Sequence, residues 1–274
     1  MAVRAYTNPC INNLGKTMTP PDAASSPPIL SETIRVLGDR RSIRAFSDKD
    51  VIDDQVTSIL EAARRAPTSG NLQAYSVVVV RDAETKEELA KISGGQKHIE
   101  TCPVFLAFVA DLTRIETAFQ RHDGNLDDNN LEMGLMASID ASLVGMAAYV
   151  AADSLGIQGV MIGAMRNDPE AVAELLGLPF RTYVVFGMCL GYPAEAPKQK
   201  PRMAAEGIIH YERYDADKAL AVVDTYNAEL KAHYESVGKP TADDSWSADV
   251  DKKYAQRPRD HLRDALKKRG FDFR

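Results

Sequence analysis

The chain has 274 residues, 45% hydrophobic and 26% charged, with a formal net charge of −6. That is ordinary globular composition, enough for one large domain or two small ones, and the acidic balance speaks against general nucleic-acid binding. Three widely spaced cysteines (Cys10, Cys102, Cys189) make no disulfide framework, and five scattered histidines make no zinc site. The expected setting is therefore reducing and cytoplasmic.

In chain order, residues 1–30 are polar, carry Pro20-Pro21 and Pro27-Pro28, and lack the apolar core of a secretory signal. They read as a flexible arm. Residues 31–274 read as one domain with an irregular helical tail from about residue 212. Ser31-Glu32-Thr33-Ile34 has the form of a helix cap and first turn, ending near Gly38. Arg40-Arg41-Ser42-Ile43-Arg44 follows. If extended, Arg40, Ser42 and Arg44 share one face, with Arg41 and Ile43 opposite. Guanidinium forks and a hydroxyl are the donors a multiply charged anion needs. A solvated basic turn has the same composition.

Asp53 is placed to cap a helix with Val56, Ile59, Leu60 and Ala63 as its apolar stripe, closed by Pro67. The small polar loop Ala66 to Gln73 leads to Ser76–Val80, expected as a strand buried on both faces. Glu84 to Ile92 reads as a surface helix broken by Gly94-Gly95-Gln96-Lys97-His98. Val104 to Ala110 is a second buried strand. Residues 131–155 form an apolar run of transmembrane length. Glu132, Asp140 and Asp153 interrupt it, and Gly, Ala and Ser fill its gaps. A helix packed on every side at the centre of a domain or dimer is expected, with no membrane. Gly156 to Asn167 holds a third strand, Pro169 starts a helix, and Thr182 to Cys189 is a fourth strand. Lys198-Gln199-Lys200-Pro201-Arg202 is a second basic cluster. Tyr226–Tyr234 and Asp260–Lys268 read as tail helices. The fold class is α+β: a small, largely antiparallel sheet flanked by helices.

Catalytic motifs are missing. Gly156, Gly159 and Gly163 do not form a dinucleotide fingerprint, and neither a P-loop nor a nucleophile elbow is present. Anion donors without a catalytic triad or metal set suit a protein whose cofactor performs the chemistry.

Seven motifs, in the order RRSIRAF, APTSGNLQ, GGQKH, GVMIGAMRN, LLGLP, FGMCLGYP and KQKPR, resemble the nitroreductase family from about Ser31 to His210, and weakly to the end. The likeness is greatest to its oxygen-insensitive, FMN-dependent nitroreductases and flavin reductases. It implies a homodimer with FMN at the subunit interface and the long apolar helix in the dimer core. It implies electron transfer by a ping-pong route from NADH or NADPH to the flavin and on to a nitroaromatic, quinone or flavin. By this resemblance Arg40, Arg41 and Ser42 hold the phosphate and ribityl chain, with Ile43 beside them. Arg44, the expected catalytic residue, lies at the pyrimidine edge, where negative charge grows during reduction. Thr68 and Asn71 contact the cofactor, as do Gln96, Lys97 and His98. Met161, Ile162, Gly163 and Ala164 pass along the flavin, and Lys200 and Arg202 close on the phosphate. Alternatives are a flavin reductase that hands reduced FMN to a partner, and a flavin-binding protein without turnover that stores or senses FMN.

The chain departs from those relatives in three places. The loop Thr68-Ser69-Gly70-Asn71 replaces a mostly serine sequence with an aromatic. Arg40 stands where histidine is usual. In the tail, Val237, Ala242 and Asp243 align with the arginines that grip the 2′-phosphate of NADPH. The last departure implies that NADPH preference is lost or reversed.

Overall fold

The computed structural model describes residues 30–127, 131–239, 245–255 and 258–273. The expected arm up to residue 29, Cys10, Ala242 and Asp243 lie outside the described residues. The helices are α1 (Glu32–Asp39), α2 (Asp53–Ala63), α3 (Ala83–Ile92), α4 (Lys97–Thr101), α5 (Thr113–Gln120), α6 (Leu131–Ser154), α7 (Pro169–Leu175), α8 (Ala216–Ser236), α9 (Trp246–Tyr254) and α10 (Leu262–Lys268). The strands are β1 (Tyr75–Val80), β2 (Val104–Asp111), β3 (Gln158–Ile162) and β4 (Thr182–Gly191). They form one sheet in the order β1-β2-β4-β3, every neighbour antiparallel. The α+β expectation holds.

Two compact units are present. One takes in Ser31–Lys200 and Val250–Arg274 and contains the whole sheet, while Pro201–Asp249 belongs to the other. In the second unit α8 covers a short turn, Ala205–Gly207. A Cβ on Gly207 would lie 2.4 Å from Val222 Cγ2, so that turn can press on the helix only as glycine.

The apolar pattern explains the sheet order. β2 is buried along its full length, as a central strand with helices and chain over both faces must be. β1 corrects an expectation. Its valine run promised burial on both faces, but it is an edge strand with Val79 exposed. Four consecutive valines raise β-propensity wherever the strand sits, so they do not report its depth. Two further boundaries differ. The expected third strand stops at Ile162 and passes into a 3₁₀ turn, Gly163–Asn167. α2 begins at Asp53 but is capped from Ile52, whose N–H donates to Gln55 Oε1, leaving Asp53 to pair with Arg81 at 2.9 Å. α8 is longer than expected, and α9 was not expected from the sequence.

α6 lies across the sheet. Its small residues let it approach closely: a Cβ on Gly145 would sit 2.4 Å from the Phe186 ring. Phe186 in turn stacks on Phe108 at 5.0 Å, a pair worth about 0.5–1.5 kcal/mol beyond its area burial. Half of the helix's apolar window is buried this way. The expectation of packing on every side is not met within one chain. Leu131, Leu135, Ile139, Leu143 and Met146 form an exposed stripe, with Ile139 57% accessible.

β3 meets β4 under a tight constraint. A Cβ on Gly159 would fall 1.7 Å from the carbonyl oxygen of Cys189. Only glycine permits that approach, and it brings β3 to the arginine stretch: the Ile43 N–H donates to the Gly159 carbonyl at 3.0 Å.

Candidate functional site

The arginine stretch leaves α1 at Arg40 and runs irregularly to Phe46, which bridges to Pro193. Ile43 is buried and anchors it, while Arg40, Arg41 and Ser42 are half-buried and Arg44 is exposed. Among the described residues none of the three arginines forms an ion pair, and the buried Nε of Arg41 has no hydrogen-bond partner. A sealed, unpaired guanidinium donor is costly unless something anionic answers it. The Tyr149 hydroxyl donates to the Arg41 carbonyl at 2.8 Å, and the Arg40 guanidinium lies 5.7 Å from the centre of the Tyr149 ring.

The first part of the second basic cluster, Lys198 to Lys200, comes to the same stretch. Gln199 Nε2 donates to the Gly38 carbonyl at 2.6 Å and to the Arg40 carbonyl at 3.2 Å, which brings the segment carrying Lys200 to the start of the arginine stretch. Gln199 is a positioning side chain that sequence reasoning passed over. Arg202 belongs to the other unit, where its guanidinium donates to the Pro201 carbonyl at 3.0 Å.

The loop carrying Thr68 and Asn71 is held in an uncommon conformation. Gly70, Asn71 and Gln73 all have positive φ, near 53–58°. Asp140 of α6, 1% exposed, makes this possible. Its carboxylate accepts the Ser69 N–H at 3.0 Å and the Ala74 N–H at 3.2 Å, one at each end of the loop. Thr68 Oγ1 accepts the Gln73 N–H at 3.3 Å, and the Arg114 guanidinium takes the Gln73 carbonyl at 3.0 Å. Asp140 is the second functional residue missed from sequence. Its signal was a carboxylate in the middle of an apolar run.

Gly94 and Gly95, both at positive φ with open space where a side chain would be, end α3 and pass the chain to Gln96. Gln96 Nε2 donates back to the Ser93 carbonyl at 3.0 Å. Lys97 is exposed and pairs with Glu100. The Nε2 atom of His98 is buried without a partner among the described residues. Burial pulls the His98 pKa below its ordinary 6.5, and the Arg44 charge pulls the same way.

β3 contributes an exposed Met161 in an otherwise buried strand end, followed by Ile162, Gly163 and Ala164. The Gln158 amide donates to Asp153 at 2.6 Å, fixing the start of the strand to the end of α6. A side chain on Gly163 would meet only the Arg166 guanidinium, at 3.5 Å, so the space beside this glycine is clear. The structure thus brings the arginine stretch and β3 together by the Ile43–Gly159 bond, and ties the Thr68 loop to α6. The donor set fits a phosphate-bearing planar cofactor: guanidinia without ion pairs among the described residues, an orphaned Arg41 Nε and clear space beside Gly163.

A model of the Nitroreductase family matches residues 37–192, and one of the Nitroreductase family, C-terminal domain, matches residues 200–274. The chain is 37% identical over 247 residues to the oxygen-insensitive NADPH nitroreductase of Salmonella typhimurium, covering 88% of this chain and 99% of that one. It is 35% identical to the FMN reductase [NAD(P)H] of Bacillus subtilis, over 88% of this chain and 98% of the relative. Among solved structures, B. megaterium NfrA2 superposes with a TM-score of 0.85 at 35% identity, covering 89% of this chain and all of that one. The NADPH:FMN oxidoreductase of Vibrio harveyi complexed with NAD+ gives 0.77 at 33% identity, over 88% and 99%.

The environment of His98 yields a pH dependence. Its folded pKa is depressed, so the unfolded chain binds this proton first as pH falls through about 6.5. The stability contributed by a neutral His98 is complete above that value and is lost progressively below it. An NMR titration is expected to place the His98 ring below 6.5, and Arg44→Ala to move it part of the way back. A ring that titrates at or above 6.5 contradicts this assignment.

Proposed function

Since the chain belongs to the nitroreductase family, we propose that it is an FMN-dependent oxidoreductase. It passes two electrons from NADH or NADPH to a nitroaromatic, quinone or flavin acceptor. The observation that carries this reading is the arginine stretch itself: Arg40, Arg41 and Arg44 without ion pairs among the described residues, and a buried Arg41 Nε left for a ligand.

Bound FMN supplies a ring that accepts a reducing pair from one substrate and yields it to the next. The chain's own residues do the rest. Arg40 and Arg41 bind the phosphate, with Lys200 brought alongside by Gln199; Ser42 and the Ile43 backbone border the ribityl chain. Arg40, Arg41 and Lys200 offer donors for a single terminal phosphate, and relatives are named as FMN reductases, so FMN rather than FAD is the cofactor. Arg44 sets a fixed positive charge at the pyrimidine edge and stabilises the negative charge that develops there, an electrostatic role that needs no proton transfer. Thr68 and Asn71 on the Asp140-held loop, and Gln96, Lys97 and His98, line the ring's other edges. His98, kept neutral by burial, adds no second positive charge to that of Arg44. Met161 to Ala164 lay the open strand end along the ring. Donor and acceptor use the same exposed face in turn, which gives ping-pong kinetics.

The purified protein is expected to be yellow, to release FMN on denaturation, and to bleach with reduced nicotinamide. Arg44→Ala should keep FMN bound and slow bleaching by about 10²–10³-fold. An FAD peak, or bleaching at the wild-type rate in the variant, contradicts the assignment. Yellow protein that never bleaches favours a storage or sensing role.

A second copy of the chain is the proposed cover for the α6 stripe, because Leu131, Leu135, Ile139 and Leu143 recur at helical spacing and no water-facing role explains them. Sedimentation at micromolar concentration should give twice the 30.0 kDa chain mass, and Ile139→Glu should lower it. A monomeric, FMN-loaded wild type contradicts the dimer.

The donor preference follows from the tail. Val237, at the C-terminal end of α8, cannot pair with a phosphate, and neither can Ala242; Asp243 repels it. Lys239 offers only a point charge without the guanidinium fork. NADH is therefore used at least as well as NADPH. A lost charge-assisted contact is worth about 1.5–3 kcal/mol, or roughly one to two decades of selectivity. The measurement is kcat/KM for both donors with one quinone, and a tenfold preference for NADPH would falsify the proposal.

A further inference from the structure

Tyr149 is 1% exposed and sits on the sheet-facing side of α6, where an apolar core residue would serve for packing alone. Its hydroxyl is nevertheless committed. It donates to the Arg41 carbonyl at 2.8 Å. The ring lies beneath the Arg40 guanidinium, with the guanidinium carbon 5.7 Å from the ring centre. One residue therefore touches the backbone of Arg41 and the side chain of Arg40. Resting on the cofactor reading above, we propose that Tyr149 is a positioning residue that presets Arg40 and Arg41 for recognition of the FMN phosphate.

The physical case is preorganisation. Arginine has among the largest rotamer entropies of any side chain, and closing on an anion forfeits it. A ring under the guanidinium and a hydroxyl on the adjoining carbonyl remove part of that freedom before the ligand arrives. The anchor is itself rigid. Gly159 is pinned to β4 by an approach that excludes any side chain, and it takes the Ile43 N–H at 3.0 Å. The Tyr149 hydroxyl on the Arg41 carbonyl and the Ile43 N–H bond to Gly159 thus fasten the backbone on both sides of Ser42. A residue that only fills the core would affect every ligand of the site alike. A residue that presets the arginines affects only ligands with a phosphate.

Riboflavin has the same ring and ribityl chain as FMN and lacks the phosphate, so it separates the two cases. Full-length protein stripped of flavin is titrated with each, following the quenching of flavin fluorescence, for wild type and Tyr149→Phe. The variant is expected to bind FMN about 3- to 10-fold more weakly, as for loss of one buried hydrogen bond, and riboflavin within about twofold of wild type. Tyr149→His, which keeps a ring and a donor, is expected to recover part of the FMN affinity; it also serves if the phenylalanine variant does not fold. Equal weakening toward both flavins, or no weakening toward FMN, overturns the proposal. A wild type that does not prefer FMN to riboflavin overturns the cofactor reading first and this inference with it. A wild type with that preference and an unchanged Tyr149→Phe overturns this inference alone.

Discussion

A carboxylate sealed from water must be answered by donors, and Asp140 is answered by the N–H groups of Ser69 and Ala74. That one interaction holds open a loop in which Gly70, Asn71 and Gln73 take left-handed conformations, two of them at non-glycine cost. The loop could collapse into a lower-energy turn if its ends were free. With both ends bonded to a helix that is itself wedged against the sheet, it cannot. α6 is thus a ruler as well as a core helix. Asp140, Tyr149 and Asp153 mark three points along it, and each fixes a different segment: the Thr68 loop, the arginine stretch and the start of β3.

The legible and illegible parts of the sequence divide along physical lines. Arg40-Arg41-Ser42 stood out because charge is crowded into one stretch of an acidic chain, but a solvated basic turn has the same composition, and only the family resemblance assigned the stretch a ligand. The β2 and β4 segments could be read because apolar runs bounded by turn residues have few other uses. The depth of β1 could not, because valine favours an extended backbone at an edge as well as in a centre. Gln199 could not, since an amide between two lysines carries no sign of which carbonyls it will meet. Tyr149 was hidden by its neighbours: within Met146-Ala147-Ala148-Tyr149-Val150 a tyrosine reads as bulk, and its hydroxyl becomes informative only beside the Arg41 carbonyl.

α6 also faces two ways. Its buried side serves the site, while its exposed stripe of Leu131, Leu135, Ile139 and Leu143 faces outward. A helix wedged by Gly145 against Phe186 has no slack, so pressure on the outer face is transmitted rather than absorbed. The polar side chains on the inner face then sit where the packing puts them.

The sheet order has a consequence for how the chain acquires this surface. β3 pairs only with β4, and β4 follows it in the chain, so β3 has no partner until the strand after it has formed. The arginine stretch, near the start of the described chain, receives its support from Gly159 across most of the intervening domain. Contacts so distant in sequence carry a large loop-closure entropy and form late. The arginine stretch therefore gains its support from β3 only once the sheet has closed around it.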